Sequence, residues 1–397
     1  MSVTAPAGFQ AAGLACGIKG DGVPDLALVA VEPGPGGRRA PVPAAATFTS
    51  NRAAAAPVVV SRGHLRATGG RAAAIVLNSG NANAATGAPG LEHAERTCSL
   101  VAAGLGVAAE EVLVASTGLI GIPLPSGAIE SGVGPLVAAL SRGARAGAAA
   151  ARAIMTTDSR PKQVRIEGPG WTVGGIAKGA AMLAPDMATM IAVLTTDAVV
   201  IPAELGRALR RAVSRSFNEL SVDGCCSTND TVVVLANGRS GRQAEGGPGP
   251  FADALSAGCA DLAEQMAADA EGRTVVARVT VTGAASDAEA ARATRQVAES
   301  QLVQCSLHGA DPYWGRVVSE LGAAGVAFEL DRVRVAYGGV VVCRGGMAAR
   351  HDPGAVAHHL GGERVEVTAD LGLGAGAASI LTTDLSPAYI AENMRTS

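Results

Sequence analysis

Apolar residues fall along this chain in three patterns, and each predicts a kind of element. Strand-like apolar runs bounded by turn residues stand at 72–77 (AAAIVL), 111–115 (EVLVA), 190–194 (MIAVL) and 231–236 (TVVVLA). Period-two alternation is clearer at 274–282, 332–343 and 363–371, and predicts further strands. Leu91, Ala94, Cys98, Val101 and Leu105 keep the spacing of one helix face, as do Leu205, Ala208, Leu209, Ala212 and Val213. Strands and helices do not alternate strictly, and turns as short as YGG at 337–339 join strand pairs. The pattern therefore predicts an α+β layered sandwich of mixed sheets and helices rather than a doubly wound sheet. The Gly-rich stretch 237–250 reads as a surface loop, with a domain boundary as the second choice. No internal repeat of fixed period is present.

Composition narrows the classes of function. A chain of 397 residues, 48% hydrophobic, can bury a large core and has the length of one large or two ordinary domains. A net charge of −3 and a pI near 6.1 create no field that would gather nucleic acid or anionic lipid, so small polar metabolites are the expected partners. Seven scattered cysteines, without a CxxC pair, argue against a disulfide framework or a zinc site. The N-terminus lacks the basic and apolar regions of a signal peptide, and the Ala-rich run 140–155 is broken by Arg142, Arg145 and Arg152; a cytoplasmic protein is expected. No dinucleotide-binding or P-loop glycine pattern occurs. Six histidines, the best placed being His308, make a Ser-His-Asp or Cys-His system hard to assemble.

One stretch raises a different chemistry. In KGAAMLAPDMATMIAVLTTDA, residues 178–198, Thr189 stands at the threshold of an apolar run, after Ala188 and a Pro185-Asp186 turn. Thr is favoured in strands, so packing at a strand end accounts for it. A second account is available, because a Thr hydroxyl needs an adjacent base and the residue's own α-amine can serve once the preceding peptide bond is cut. That amine has a reference pKa of about 7.7–8.0, near working pH. Attack of the Thr189 hydroxyl on the Ala188 carbonyl would give an ester for water to hydrolyse.

The stretch resembles the signature of the ornithine acetyltransferase family, whose glutamate N-acetyltransferase members cut themselves before the Thr of such a motif. The likeness runs nearly end to end, through GFQAAGLACGIKGDGVPDLALV (8–29), TFTSNRAAAAPV (47–58), NSGNANAATG (78–87), ASTGLIGIPLP (115–125) and AIMTTDSRPKQ (153–163). Downstream, SFNELSVDGCCSTNDTVVVLANG, HGADPYWGRV and DLSPAYIAENM continue it.

The resemblance implies a fold of the N-terminal-nucleophile type. It also implies an α segment, 1–188, and a β segment, 189–397, folded together as one intertwined catalytic unit, with a dimer of such heterodimers as the assembly. Thr189 would carry an acetyl group from N-acetylornithine to glutamate by ping-pong kinetics, without metal or organic cofactor. Thr117 and Gly118 would form the oxyanion hole. Lys178, Thr156 and Glu271 would bind substrate, with Asn393 and, as a stand-in at the altered C-terminus, Ser397.

NSGNANAATG reads as a structural loop near left-handed conformations, and GADPYWGR as aromatic packing near a buried Asp–Arg contact. The chain departs from the family at Cys225-Cys226, where an acid and a hydroxyl residue are usual, at Tyr313, at EGRTV after residue 270 and at its C-terminus. These departures touch substrate choice more than reaction class. The competing reading is an N-terminal-nucleophile amidohydrolase or aminopeptidase, or an acyltransferase with another amino-acid substrate. Use of acetyl-CoA cannot be read from the sequence.

Overall fold

A computed structural model describes residues 2–20, 22–183, 190–244 and 248–394. Ala188, Thr189 and Ser397 lie outside the described residues. The remainder divides into two compact units, one of residues up to Asn218 together with Cys226–Met266, the other of Glu219–Cys225 together with residues from Ala267 onward.

The first unit contains two mixed sheets. The smaller orders its strands Phe9–Leu14, Leu26–Val31, Ala74–Asn81, Val112–Leu119, and only its last pair is parallel. The larger runs Arg71–Ala72, Val42–Phe48, Thr231–Ala236, Ile191–Thr196, Thr172–Lys178, Lys162–Glu167, with one parallel pair at Thr231–Ala236 and Ile191–Thr196. Parallel neighbours require a crossover. The two helices whose apolar faces are legible in the sequence lie in those crossovers, as Gly87–Leu105 and Pro202–Ser214.

Successive residues of each strand enter different layers. Ala27, Val29, Ile75, Leu77 and Leu113 of the smaller sheet share a core with Ile191, Val193, Val233 and Leu235 of the larger. Their neighbours Leu26, Leu28, Val76, Val112 and Val114 face the other way, against Ala94, Cys98 and Val101 of the first crossover helix and Ile129, Val133 and Leu136 of the helix Ser126–Ala138. The helix Pro202–Ser214 packs on the larger sheet, as does Pro250–Ala267, whose Leu262 would lie 3.4 Å from a Cβ on Gly175. The layers are thus helix, sheet, sheet, helix. With both faces covered, the inner strands Leu26–Val31 and Thr231–Ala236 are buried at every position, which explains the unbroken apolar runs in the sequence.

The second unit has one sheet, ordered Met347–Ala348, Val340–Arg344, Arg334–Tyr337, Arg364–Asp370, Val276–Ala284, Gly376–Thr383. Val279, Val281, Val335, Val365 and Val367 pack against Ala290, Val297, Leu321, Val356 and Leu360 of the helices Asp287–Ala298, Trp314–Ala323 and Pro353–Leu360. On the opposite face Arg364 and Glu366 are exposed, and Arg278 and Thr280 half-buried. Tyr337 and Val340 are joined by Gly338 and Gly339 at φ 54° and 79°, the two positive values that a type I′ hairpin turn demands.

One sequence expectation fails in this unit. Within GADPYWGR, Asp311 and Tyr313 are exposed, because the segment links the helices Gln301–His308 and Trp314–Ala323 at the surface. Arg316 lies over the Tyr313 ring at 5.7 Å instead of meeting a buried Asp. The described residues of the Gly-rich stretch before Pro250 form no helix or strand, and the unit boundaries fall elsewhere. Among the described residues no helix is long and apolar enough to cross a membrane.

Candidate active site

The C-terminal ends of the parallel strands Ala74–Asn81 and Val112–Leu119 carry Asn78, Ser79 and Gly80 beside Ser116, Thr117 and Gly118. The ladder shifts register at Gly80 and Asn81. Gly118, at φ 129°, approaches the other strand so closely that a Cβ would sit 2.3 Å from the Gly80 carbonyl carbon, so no other residue fits without moving the backbone. The Asn-rich segment after Gly80 is scaffold, as its composition suggests. Asn78 donates to the Asn81 carbonyl, Asn81 to those of Ile122 and Pro123, and Asn83, itself at φ 46°, to that of Gly90.

The larger sheet contributes a row across three strands. Lys178 pairs with Ile191, and Ile191 with Thr231, so Met190 and Asp230 sit side by side at the entrance of their parallel strands. Asn229 fixes this entrance to the smaller sheet by donating to the carbonyls of Ala82 at 2.6 Å and Ser116 at 2.8 Å. The buried Lys178 ammonium donates to the buried Thr117 hydroxyl oxygen at 3.3 Å. A hydroxyl that accepts from a cation keeps its own proton to donate and becomes a stronger donor.

Buried charges surround this pair. Asp158 accepts from the Lys162 ammonium at 2.6 Å, from the Gly179 amide at 2.8 Å and from the Thr156 amide at 3.0 Å. Burial alone would raise its carboxyl, but the Lys178 and Lys162 charges and the hydrogen bonds outweigh burial and hold it down at about 2. Lys19 donates to the Met155 carbonyl at 2.6 Å, and burial, reinforced by Lys178 and opposed by Asp25 and Asp158, lowers its ammonium. Asp25 in turn accepts four consecutive backbone amides, from Cys16 to Lys19, which folds that loop around a buried carboxylate.

Asp230 is pushed in the opposite direction from Asp158. Burial raises its carboxyl well above the usual range, although the Met190 amide, the Lys178 charge and Ser227 pull it down. One oxygen accepts from Met190 N at 2.9 Å; the other is buried without a hydrogen-bond partner.

In the second unit, Asn393 donates to the buried Glu271 at 2.8 Å and to the Tyr389 carbonyl at 2.9 Å. Gly272, at φ 60°, lets the start of the helix Pro387–Asn393 press on this turn, since a Cβ would lie 2.1 Å from Tyr389 N. His308 meets Asp384 at 2.8 Å, but Thr274 spends its hydroxyl proton on the same carboxylate, at 2.7 Å, so the three do not form a nucleophile–base–acid relay. Cys225 and Cys226 are exposed rather than core; partial burial and the charges of Asp223 and Glu299 raise the Cys225 thiol.

Of the residues singled out from sequence, the first unit joins Thr117 to Lys178 directly and brings Thr156 to Asp158, while the second joins Glu271 to Asn393. Asp158, Lys162, Lys19, Asp25, Asn229 and Asp230 carry no role in the sequence reading. A signal for Asp230 exists: it precedes the apolar run 231–236 as Thr189 precedes 190–194. Among the described residues no cluster of three His, Cys, Asp or Glu side chains is placed to hold a metal.

Comparison with known proteins supplies the remaining constraint. The ArgJ family matches residues 10–396. The arginine biosynthesis bifunctional protein ArgJ of Mycolicibacterium paratuberculosis is 49% identical, over 98% of this chain and 95% of that protein. The corresponding protein of Streptomyces avermitilis is 47% identical over 99% of each. Among solved structures, the ornithine acetyltransferase of Mycobacterium tuberculosis complexed with ornithine is 49% identical and aligns with a TM-score of 0.43, covering 46% of this chain and 94% of that one.

Proposed function

The chain belongs to the ArgJ family, and from that premise we propose that it is an ornithine acetyltransferase of arginine biosynthesis, acting in the cytoplasm. The observation that carries the reading is the buried Lys178–Thr117 hydrogen bond, beside Asp158, on the strand whose neighbour begins at Ile191. It supports the reading because it gives a charge-reinforced hydroxyl donor in a dry region, on a strand paired with Ile191.

On this reading the chain cuts itself between Ala188 and Thr189, and segments 1–188 and 189–397 stay together, pairing further as a dimer of heterodimers. The Thr189 hydroxyl attacks the acetyl carbonyl of N-acetylornithine while its own α-amine takes the hydroxyl proton. Thr117 Oγ and the Gly118 amide donate to the oxygen that becomes negative, the interaction that lowers the barrier most in acyl transfer. The amine returns the proton to the departing ornithine, leaving acetyl-Thr189. Glutamate attacks this ester with its amino group and leaves as N-acetylglutamate. Lys178, Thr156, Glu271, Asn393 and Ser397 hold the charged ends of the substrates. The steps need no metal or organic cofactor.

The test is acetyl transfer from N-acetylornithine in the presence and absence of glutamate, with N-terminal sequencing of the purified protein. The expected result is two fragments, the second beginning Thr-Met-Ile-Ala-Val, and ornithine release that depends on glutamate. Acetate release indifferent to glutamate makes the protein an amidohydrolase. An active chain that remains whole overturns the mechanism. Because the relatives are named bifunctional, acetyl-CoA is to be assayed beside N-acetylornithine as a second donor.

A further inference from the structure

Lys19, a cation without a role in the transfer steps, lies where the strands that carry Gly80 and Gly118 end. Gly80 pairs with Gly118 and stands at φ 95°, and the Lys19 stem rests on it so closely that a Cβ there would be 2.6 Å from Lys19 Cγ. Ser79 donates from its hydroxyl to the Ala153 carbonyl at 2.6 Å, which fastens the end of the helix Ala144–Ala153 to the same place. The Lys19 ammonium reaches the segment that follows this helix. It donates to the Met155 carbonyl at 2.6 Å, while the amide of the same peptide group, that of Thr156, donates to Asp158 at 3.0 Å.

Lys19 and Thr156 both have hydrogen-bonding capacity to spare. An ammonium has three protons, and among the described residues the Met155 carbonyl is the acceptor for one of them. The half-buried Thr156 hydroxyl has no hydrogen-bond partner among the described residues. Charge points the same way. Burial lowers the Lys19 ammonium, opposed by Asp25 and Asp158 and reinforced by Lys178. Asp25 already accepts four backbone amides, and Asp158 accepts the Lys162 ammonium and two amides. Asp230, which also faces Lys178, is pushed by burial towards its neutral form. The three lysines are thus one carboxylate short, and two open donors stand ready for it.

We infer that Lys19, together with the Thr156 hydroxyl, binds the α-carboxylate that N-acetylornithine and glutamate have in common. The inference rests on the acetyl-transfer reading and deepens it by naming a residue that selects the substrate. In N-acetylornithine only the amide nitrogen and the α-carbon separate the acetyl carbonyl from the α-carboxylate. A site that holds the carbonyl oxygen at Thr117 and Gly118 has to hold the carboxylate close by. Lys178 is engaged with Thr117, whereas Lys19 is a cation with protons to spare on the glycine paired with Gly118.

The test makes the same change in the protein and in the substrate. Lys19→Met keeps an unbranched stem over Gly80 and removes the charge; the α-carboxamide of N-acetylornithine removes the charge from the donor. Wild type should favour the carboxylate in kcat/KM. Lys19→Met should shrink that preference by roughly tenfold to a hundredfold, through a higher KM for the carboxylate, and leave the carboxamide nearly as good a donor as before. Lys19→Arg retains the charge and should retain the preference. Glutamate and its α-amide, compared as acceptors, should follow the same rule. A structural role for Lys19 would lower both donors by one factor, so an unchanged preference in active Lys19→Met protein overturns the inference. Should that variant not fold or not cut itself, a crystal structure of wild type with bound ornithine decides. An α-carboxylate oxygen within about 4 Å of Lys19 Nζ supports the inference, and a carboxylate held elsewhere overturns it. Wild-type protein that moves no acetyl group from N-acetylornithine overturns the acetyl-transfer reading and this inference with it. Wild-type transfer beside an equally selective Lys19→Met overturns the inference alone.

Discussion

In the strand Leu26–Val31 all six side chains are buried, while in Arg364–Asp370 buried and accessible positions alternate. The first strand lies in a sheet with a second sheet on one side and helices on the other; the second lies in a sheet with helices on one face only. The difference has a consequence for chemistry. Where both faces are covered, any polar residue is in a dry place and must have a partner or a purpose. Thr117, Lys178, Asp158 and Asp230 all sit in such places. Where one face is open, every second residue is polar for solubility alone, as Arg364 and Glu366 are, and polarity by itself marks no site.

Charge removal tests this contrast most severely. Asp158→Ala leaves Lys162 and Lys178 without a shared carboxylate in a region where its side chain is inaccessible, and should cost about 3–5 kcal/mol of stability. Glu329→Ala in the second unit removes a pair to Arg332 whose side chains are both about half exposed, and should cost at most about 1 kcal/mol. Urea unfolding of both in an uncut Thr189→Ala background measures the difference; equal costs would erase the distinction. The pH dependence carries a sign. Because folding lowers the Asp158 pKa, its contribution is complete above the unfolded carboxyl value near 3.9 and is lost as pH falls through about 2. Asp158→Ala should therefore differ least from wild type in strong acid.

The same contrast explains what was legible in the sequence. The apolar runs 190–194 and 231–236 and the crossover helices at 87–105 and 202–214 announce themselves by period and composition. Phe9–Leu14, Val42–Phe48 and Thr172–Lys178 do not, because three residues in each are Ala or Gly, which have little intrinsic strand preference. Close approach imposes that composition. A Cβ on Gly174 would meet the Ser2 carbonyl oxygen at 2.1 Å, and one on Gly13 the Ala149 carbonyl oxygen at 2.3 Å. Thr117 and Lys178 stand in recognisable motifs, whereas the pairing of Asp158 with Lys162 depends on the chain reversal between them and is not written in the motif AIMTTDSRPKQ. Asp230 is marked in the sequence only by its place before the run 231–236; strand register, invisible in one sequence, sets it beside Met190.

Thr117→Ala sharpens the comparison at the level of catalysis. Losing one oxyanion donor typically costs about 2.7–4 kcal/mol, so kcat for acetyl transfer should fall by roughly a hundredfold to a thousandfold. Self-cleavage should survive better than turnover, and Thr117→Ser should restore much of the rate. Asn393→Ala, in the second unit, removes a side chain that contacts Glu271 rather than a group aimed at a developing charge. It should raise KM with little change in kcat, the signature of binding lost equally from ground and transition states. A large kcat loss from Asn393→Ala would break the division of labour between the two units.

Differences between adjacent positions test the sheets themselves. In Arg364–Asp370, Val367 points into the core and Glu366 to the open face. Val367→Ala should cost about 1.5–3 kcal/mol, and Glu366→Ala should stay within about 0.5 kcal/mol. In Leu26–Val31 no such quiet neighbour exists, because Leu28 packs towards the helices and Val29 towards the other sheet. Leu28→Ala should cost about 2–5 kcal/mol and Val29→Ala about 1.5–3 kcal/mol. The informative quantity is the spread between adjacent positions, large in the single sheet and small in the paired sheets. If Glu366→Ala proved as costly as Val367→Ala, the open face would have to be covered in solution, and the alternation at 363–371 would reflect a second interface rather than water.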